Sequence, residues 1–345
     1  MTLRARFDDR LADFLSGQGP QWPEGAPRGL FSTLQRFLLS GGKRLRPMFC
    51  YWGWRSAGGE DGPGIVTAAA ALEIFHAFAL IHDDIMDGSE RRRGEPSVHA
   101  LFADLHTRSA WRGDAASYGR NTALLCGDLC AAWADQMFQS CGLSDEQVSR
   151  GYAVYGAMRT EVIAGQYLDL VSGVGDGSAA SALTVIRLKA ARYTVTRPLQ
   201  IGAALAGAGD DLLDTYAAFG DPLGDAFQLR DDVLGVFGDP VVTGKPILDD
   251  LREGKRTVLM ALAREAADHR QTARIRALFG RADLDEEGAA ELRRIIIDTG
   301  ALDGVERLIK LRVESALAAL AGSPIPAEVA ARLTALAHET VDRQR

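Results

Sequence analysis

Six windows of the chain carry apolar residues at three- and four-residue spacing and are dominated by alanine and leucine. They run from Ile65 to Met86, Leu124 to Phe138, Val148 to Leu170, Leu183 to Ala206, Leu212 to Val236 and Thr257 to Ala267. Alanine and leucine are strong helix formers, and this periodicity is that of a helix with a buried face. Period-two alternation is scarce, and runs rich in valine, isoleucine and aromatics are short. The expected fold class is all-α. The alanine-rich tracts read as helix interiors that let neighbouring helices pack closely.

Glycine and proline mark the breaks. Loops are expected at Gly17 to Gly29, Gly58 to Gly64 and Gly173 to Ser178, and a loop or partly helical insertion at Asp104 to Arg120. Gly238 to Gly254, with two prolines and many charges, is too long for a plain connector and is a candidate lid. Hydrophobic residues make up 47% and charged residues 25% of 345 positions, which excludes a disordered or fibrous chain. The length allows two domains or one large one. Uncharged runs such as Pro198 to Gly209 reach only about a dozen residues, short of the roughly 20 that a membrane span requires. The N-terminal MTLRARFDDRLADF lacks the apolar core of a signal peptide, so a cytoplasmic protein is expected. A net charge of −7 argues against general nucleic-acid binding. Cys50, Cys126, Cys130 and Cys141 form no CxxC pair and have no matching histidine pair. They are expected to be reduced core thiols rather than zinc ligands.

The strongest chemical signal is Asp83-Asp84-Ile85-Met86-Asp87, which follows the apolar run Leu72 to Ile81. On a helix Asp83 and Asp87 lie one turn apart on the same side, with Asp84 about 100° away. Three carboxylates at the end of a buried helix repel one another unless they are exposed, protonated or bound to cations. Hard oxygen ligands at this spacing suit Mg²⁺, which shares its shell with waters and phosphates. The bland alternative is an acidic helix end in solvent. A second pair, Asp231-Asp232, lies inside the apolar run Phe227 to Leu234. Metal ions bridging a bound diphosphate would account for both. Cations cluster as well: Lys43, Arg44 and Arg46 follow Gly41-Gly42, and Arg91-Arg92-Arg93 follows the first aspartates. Lys189, Lys245 and Lys255 come later. Arginine forks bind phosphate oxygens bidentately and lysine acts as a point charge. The common theme is two anionic substrates, one held through Mg²⁺ and one held by cations directly.

GGKRLRP at 41–47, HAFALIHDDIMDGSERRRGEPSVH at 76–99, Lys189, FQLRDD at 227–232, and GKP followed by EGKRT make a set in one fixed order. In these the chain resembles a trans-type polyprenyl diphosphate synthase, of the geranylgeranyl or farnesyl diphosphate synthase kind. The resemblance implies a single domain over 1–345: a bundle of long antiparallel helices around a deep central cavity, usually as a homodimer. It implies head-to-tail addition of isopentenyl diphosphate to an allylic diphosphate. By that resemblance Asp83, Asp84, Asp87, Asp231 and Asp232 hold three Mg²⁺ on the allylic diphosphate. Lys43, Arg46, His76 and Arg93 match the isopentenyl diphosphate site; Arg92, Lys189, Gln228, Lys245 and Lys255 match contacts to the allylic partner. His82 is expected to pack or hydrogen-bond rather than relay protons.

Two positions depart from the family pattern. Gly235 stands where a third aspartate usually ends the second motif, and Ala190 where threonine often follows the lysine. Asp239 lies one turn beyond position 235, but Gly238 and Pro240 suggest that the helix has ended. Product length is a question of shape. By the resemblance, Ala79 and Phe78, four and five positions before Asp83, set the floor of the chain pocket. Small Ala79 leaves room and Phe78 blocks, which resembles enzymes that stop at C20, geranylgeranyl diphosphate. Farnesyl diphosphate or another length is the alternative, and Phe75 could form a different floor. Ordinary core packing is the plain explanation for these aromatics. Two rivals remain. A class I terpene cyclase wants Asn/Asp, Ser/Thr and Glu where Asp231, Gly235 and Asp239 stand, and has no need of GGKRLRP. A non-catalytic partner subunit would be expected to have lost metal ligands, yet five of six family aspartates remain.

Overall fold

The computed structural model describes residues 1–174, 178–238 and 248–341, with side chains of 172–174 left aside. Helix accounts for 79% of the described residues. Strand, among the described residues, is limited to β1 (Arg91–Arg92) paired antiparallel with β2 (Glu95–Pro96). The all-α class therefore holds. Each of the six periodic windows is helical over most of its length. The chain divides into two compact units, 1–154 with 198–208, and 155–197 with 209–345.

The first unit holds α1 (Leu3–Gln18), α2 (Gly29–Leu39), α3 (Leu45–Ser56), α4 (Pro63–Asp87), α5 (Val98–Arg108), α6 (Ala115–Gln139), the start of α7 (Asp145–Val174) and nearly all of α9 (Arg197–Ala206). The segment from Asp104 to Arg120, expected as a loop or partly helical insertion, is partly helical: only 109–114 lie between helices, because α5 continues to Arg108 and α6 starts at once behind the Asp114 cap, whose side chain accepts from the Ser117 N–H. Helix α4 starts at Pro63, whose missing N–H costs nothing in a first turn. It stops at Gly88, whose left-handed φ of 68° turns the chain and donates its N–H to the Asp84 carbonyl. Ala68, Ala69, Ala70 and Ala71 are fully buried, so α4 packs against α6, α3 and α1 with little side-chain bulk between. By length and composition α4 could cross a bilayer, since its apolar window tolerates the single charge of Glu73. However, 72% of that window is buried within the protein. Helices α3 and α9 touch backbone to backbone: a β-carbon on Gly202 would lie 2.7 Å from the Trp54 nitrogen, and one on Gly53 would overlap the Leu199 carbonyl.

The second unit holds the rest of α7, α8 (Ala179–Val185), a π-helical segment (Ile186–Thr196), α10 (Asp210–Phe237), α11 (Asp249–Glu253), α12 (Val258–Ala266), α13 (His269–Leu278), α14 (Glu286–Asp298), α15 (Ala301–Ala321) and α16 (Ala327–Val341). Helix α10 packs against α15 and the π segment. The wider π spiral is seated on glycines: a β-carbon on Gly165 would lie 2.5 Å from the Lys189 nitrogen, and one on Gly224 would run into Ala191. π turns are uncommon and concentrate at functional sites; here the turn carries Lys189.

Candidate functional site

In the first unit, the end of α4 presents the first three aspartates in two environments. Asp84 is fully buried, while Asp83 and Asp87 are half-buried. Arg92, on the hairpin strand β1, donates through Nε to Asp84 Oδ1 at 2.8 Å and through a terminal nitrogen to the same oxygen, with Asp83 Oδ2 at 3.4 Å. Burial works against the Arg92 charge, but Asp84, Asp83 and Asp87 together outweigh it and hold its pKa above the ordinary value. The short hairpin was not expected from sequence. Its use is plain: it folds the basic run back onto the aspartates that precede it.

The same fold gathers the cations of the two basic motifs. Arg93, at a left-handed φ of 56°, donates to the Gly41 carbonyl at 3.1 Å. His76 is half-buried; burial, then the charges of Arg46, Arg93, Arg92 and Arg44, push its pKa well below the ordinary value. The imidazole is therefore neutral and faces a cationic patch. Burial also lowers Arg93, with Glu73 opposing and Arg44, Arg92 and Arg46 adding to the effect. Lys43 is exposed and Arg46 half-buried. Arg44 is different: its side chain is only 3% exposed. It donates to Asp8 at 2.8 Å, Glu73 at 3.0 Å and the Leu38 carbonyl at 2.9 Å. It is a strut under the loop that carries Lys43 and the first turn of α3 that carries Arg46. The sequence signal for it was a lone glutamate inside an apolar helix.

The expected pocket-floor residues lie further back on α4. Phe75 is buried and its ring centroid stands 5.1 Å from that of Phe78. Phe78 in turn meets His82 edge-on at 4.8 Å. His82 Nε2 lies 3.2 Å from the Leu124 carbonyl of α6, and a β-carbon on Gly127 would overlap the imidazole. The packing and hydrogen-bonding role expected for His82 is the one observed. Ala79 is half-buried beside this stack. The four cysteines are free and buried; burial pushes the Cys126 thiol up to about 12, which keeps it protonated and unreactive.

In the second unit, Gln228 donates to Asp232 Oδ1 at 2.9 Å, one turn along α10. Asp232 is buried and its carboxyl is pushed up to about 7, chiefly by burial, with Lys255 and Gln228 opposing and Asp250 and Asp231 adding repulsion. Asp231 is half-buried. Lys189 donates to Asp169 at 2.7 Å. Asp169 was missed in the sequence; its signal was its place four residues after Gly165, the glycine on which the Lys189 backbone rests. Ala190 is half-buried. Helix α10 ends at Phe237 with Gly238 extended behind it, as the glycine and proline there suggest. Lys245 and Asp239, and with them most of the candidate lid from Gly238 to Gly254, lie outside the described residues.

Among the described residues no three His, Cys, Asp or Glu side chains are grouped so as to hold an ion by themselves, but the donors of each unit are of the kind Mg²⁺ shares with a bound phosphate. They are all carboxylate or amide oxygen, hard ligands of the kind Mg²⁺ takes. The mutual repulsion recorded at Asp232 is what a divalent cation between carboxylates relieves.

Comparison with known proteins places this arrangement. Residues 28–296 match the sequence pattern of the family described as Polyprenyl synthetase. The chain is 35% identical over 343 residues to the geranylfarnesyl diphosphate synthase of Aeropyrum pernix, covering 98% of this chain and 99% of that one. It is 33% identical over 256 residues to the geranylgeranyl diphosphate synthase of Sulfolobus acidocaldarius, covering 73% and 70%. The crystal structure of geranylgeranyl pyrophosphate synthase from Corynebacterium glutamicum, complexed with isoprenyl diphosphate and magnesium, superimposes with a TM-score of 0.95. It shares 41% identity over 100% of both chains. The protein belongs to the polyprenyl synthetase family. It is an enzyme, a prenyltransferase that makes prenyl diphosphates, and the family depends on Mg²⁺.

Proposed function

We propose that the chain condenses isopentenyl diphosphate with an allylic diphosphate, head to tail, and that its product is geranylgeranyl diphosphate. The observation that carries this reading is the gathering of charge at the end of α4. Arg92 pairs with the buried acid Asp84, and the charges of Arg92, Arg46, Arg93 and Arg44 reach neutral His76, so acids and cations meet at the end of one helix.

Bound Mg²⁺, three ions in this reading, supplies electrophilic stabilisation of the allylic diphosphate as its C–O bond breaks. Asp83, Asp84, Asp87, Asp231 and Asp232 would provide the oxygens that hold it, with Arg92 fixing the Asp84 carboxylate. Lys189, Gln228, Lys245 and Lys255 meet the same diphosphate, which leaves as pyrophosphate. Fixed cations placed where negative charge grows are worth more than mobile ones, because they need no reorganisation during the reaction. Lys43, Arg46 and Arg93 hold the diphosphate of isopentenyl diphosphate, and neutral His76 donates a hydrogen bond to it. The double bond of that substrate then attacks C1 of the allyl group, and the proton lost from the adduct passes to the departing pyrophosphate. Phe78, steadied by Phe75 and His82, closes the space for the growing chain. The length reading rests on that stack and on the geranylgeranyl synthases among the relatives. A homodimer in a reducing cytoplasm completes the proposal, supported by the resemblance and by four buried free thiols.

The test is incubation of the purified chain with labelled isopentenyl diphosphate, Mg²⁺ and each allylic primer in turn, followed by chromatography. A C20 diphosphate is the expected product. A hydrocarbon or alcohol from geranylgeranyl diphosphate alone would point instead to a cyclase. No turnover by the chain alone would point to a partner subunit.

A further inference from the structure

The π-helical segment carries arginines at a spacing proper to its own wide turn. Arg187 and Arg192 lie within it and Arg197 stands at its C-terminal boundary, each five residues from the next. In an α-helix a step of five turns a side chain about 140° from its predecessor, which would scatter three arginines around the axis. Hydrogen bonds that close over five residues return such a step close to one face. The three are gathered accordingly. Arg187 donates through Nε to Asp225 Oδ1 at 2.9 Å and through a terminal nitrogen to Oδ2 at 2.5 Å. Arg192 donates to Asp221 Oδ2 at 3.3 Å and to Glu161 Oε1 at 3.1 Å. Arg197 donates to the two oxygens of Glu161 at 2.8 Å and 2.6 Å. Asp221 also lies 3.5 Å from Arg187 and accepts from the Thr196 hydroxyl at 2.7 Å. Neighbouring rungs of this ladder therefore share an acid.

The acids come at α-helical intervals. On α10 Gly220-Asp221 and Gly224-Asp225 repeat after four residues, and on α7 Glu161, Gly165 and Asp169 are also four apart. The glycines let the segment lie close: a β-carbon on Gly220 would stand 2.6 Å from Thr196 Oγ1. The acids beside them take its cations. Asp225 is fully buried, with Arg312 of α15 at 3.4 Å as a second cation beside it. Burial works against the Glu161 charge, but Arg197 and Arg192 outweigh it and hold its carboxyl below the usual range. Lys189, two residues after Arg187, reaches instead to Asp169 of α7. A slip of the segment by one residue would swing that lysine by about 100°. π-helix occurs mostly as single turns, yet this run has 11 residues, so its register is held from outside.

We infer that the ladder of Arg187, Arg192 and Arg197 against Asp225, Asp221 and Glu161 sets the π register that aims Lys189, and that its members are positioning residues for the allylic diphosphate. This rests on the prenyltransferase reading, in which Lys189 meets that diphosphate, and deepens it. The lysine supplies the charge, and the ladder fixes where that charge stands. A neutral side chain at one rung removes a forked contact and leaves the segment to relax toward an ordinary helix, with Lys189 turned from its place.

The experiment is steady-state kinetics of the full chain with labelled isopentenyl diphosphate and the allylic primer that wild type uses best, each varied in turn, together with amide hydrogen exchange over residues 186–197. Wild type is compared with Arg187→Gln, Arg192→Gln, Lys189→Ala and the two doubles that combine a ladder variant with Lys189→Ala. Loss of a contact to a charged group should raise KM for the allylic diphosphate by about 10-fold in each single variant, with KM for isopentenyl diphosphate unchanged. Because the ladder acts through Lys189, neither double should be worse than Lys189→Ala alone. Exchange over the segment should quicken in the ladder variants and not in Lys189→Ala. Arg192 is partly exposed, so Arg192→Gln decides the matter should Arg187→Gln fail to fold. The inference is overturned if the ladder variants keep the wild-type KM for the allylic substrate or the wild-type exchange, if both KM values rise alike, or if the ladder and Lys189 effects multiply. Each of those results leaves wild-type turnover, and so the prenyltransferase reading, standing; a wild type that makes no product would sink that reading and the inference with it.

Discussion

Removing the Glu73 carboxylate should destabilise the protein far more than removing Asp8, although both bind the same arginine. The Arg44 side chain is 3% exposed and that of Glu73 is 4%, so their pair is dry. Asp8 is 41% exposed and meets the guanidinium from the solvent side. Glu73→Ala leaves a buried cation with one wet partner and the Leu38 carbonyl. Breaking a buried pair from one side costs about 3–5 kcal/mol, and the surviving Asp8 contact puts the cost near the lower end, about 3 kcal/mol. Asp8→Ala removes an exposed ion pair, for which the usual cost is about 0–1 kcal/mol. With an unfolding entropy of about 2.1 cal/mol/K per residue, the first change lowers a cooperative melting temperature by about 4 °C and the second by about 1 °C or less. Glu73→Gln, which keeps an acceptor, should fall between. Urea denaturation of the three variants against wild type is the assay. Equal effects of Glu73→Ala and Asp8→Ala, or a cost below about 1 kcal/mol for Glu73→Ala, would refute the assignment of Arg44 as a buried strut.

Replacing Asp83 or Asp231 with alanine should lower turnover by orders of magnitude while leaving the circular dichroism melt intact; wild-type turnover in Asp83→Ala would remove that residue from the chemistry. Phe78→Ala should lengthen the product beyond C20 in the labelled assay, and an unchanged product would mean that the pocket floor lies elsewhere. Gly127→Ala should also alter the product distribution, because the new methyl displaces His82 and through it the Phe78 ring; that effect should vanish in a Phe78→Ala background. His76 has its pKa lowered on folding, so the unfolded chain takes up the proton more readily. Stability is then lost as pH falls through the unfolded value of about 6.5, by up to about 1.4 kcal/mol per pH unit. His76→Asn should flatten that slope in denaturation measured from pH 7 to pH 5, and parallel curves for the two proteins would count against it.

The helices were legible because their period is local. Windows such as Leu212 to Val236 announce themselves through spacing alone, and Asp210–Phe237 is the result. The aspartate and arginine motifs were legible because like charges beside an apolar run need a reason. What stayed hidden depends on partners far apart in sequence. Arg44 and Glu73 are 29 residues apart, and Lys189 and Asp169 are 20 apart; nothing in either local segment names the other. The same holds for Gly127, which reads as an ordinary weak spot in a helix until His82 is found against it. The π segment was invisible for a related reason. Its sequence is helical by propensity, and the extra width is seated on glycines in α7 and α10.

Helix α4 also matters before the fold exists. A ribosome producing this chain releases an apolar stretch long enough to cross a bilayer, at a time when neither α6 nor the rest of the unit is available to cover it. From Pro63 to Ile81 its one formal charge is Glu73. An acidic side chain near the middle of such a segment opposes insertion by about 2.5–3.5 kcal/mol on translocon scales. The glutamate that clamps Arg44 thus also makes the segment a poorer fit to a bilayer than its length and apolar content alone would suggest.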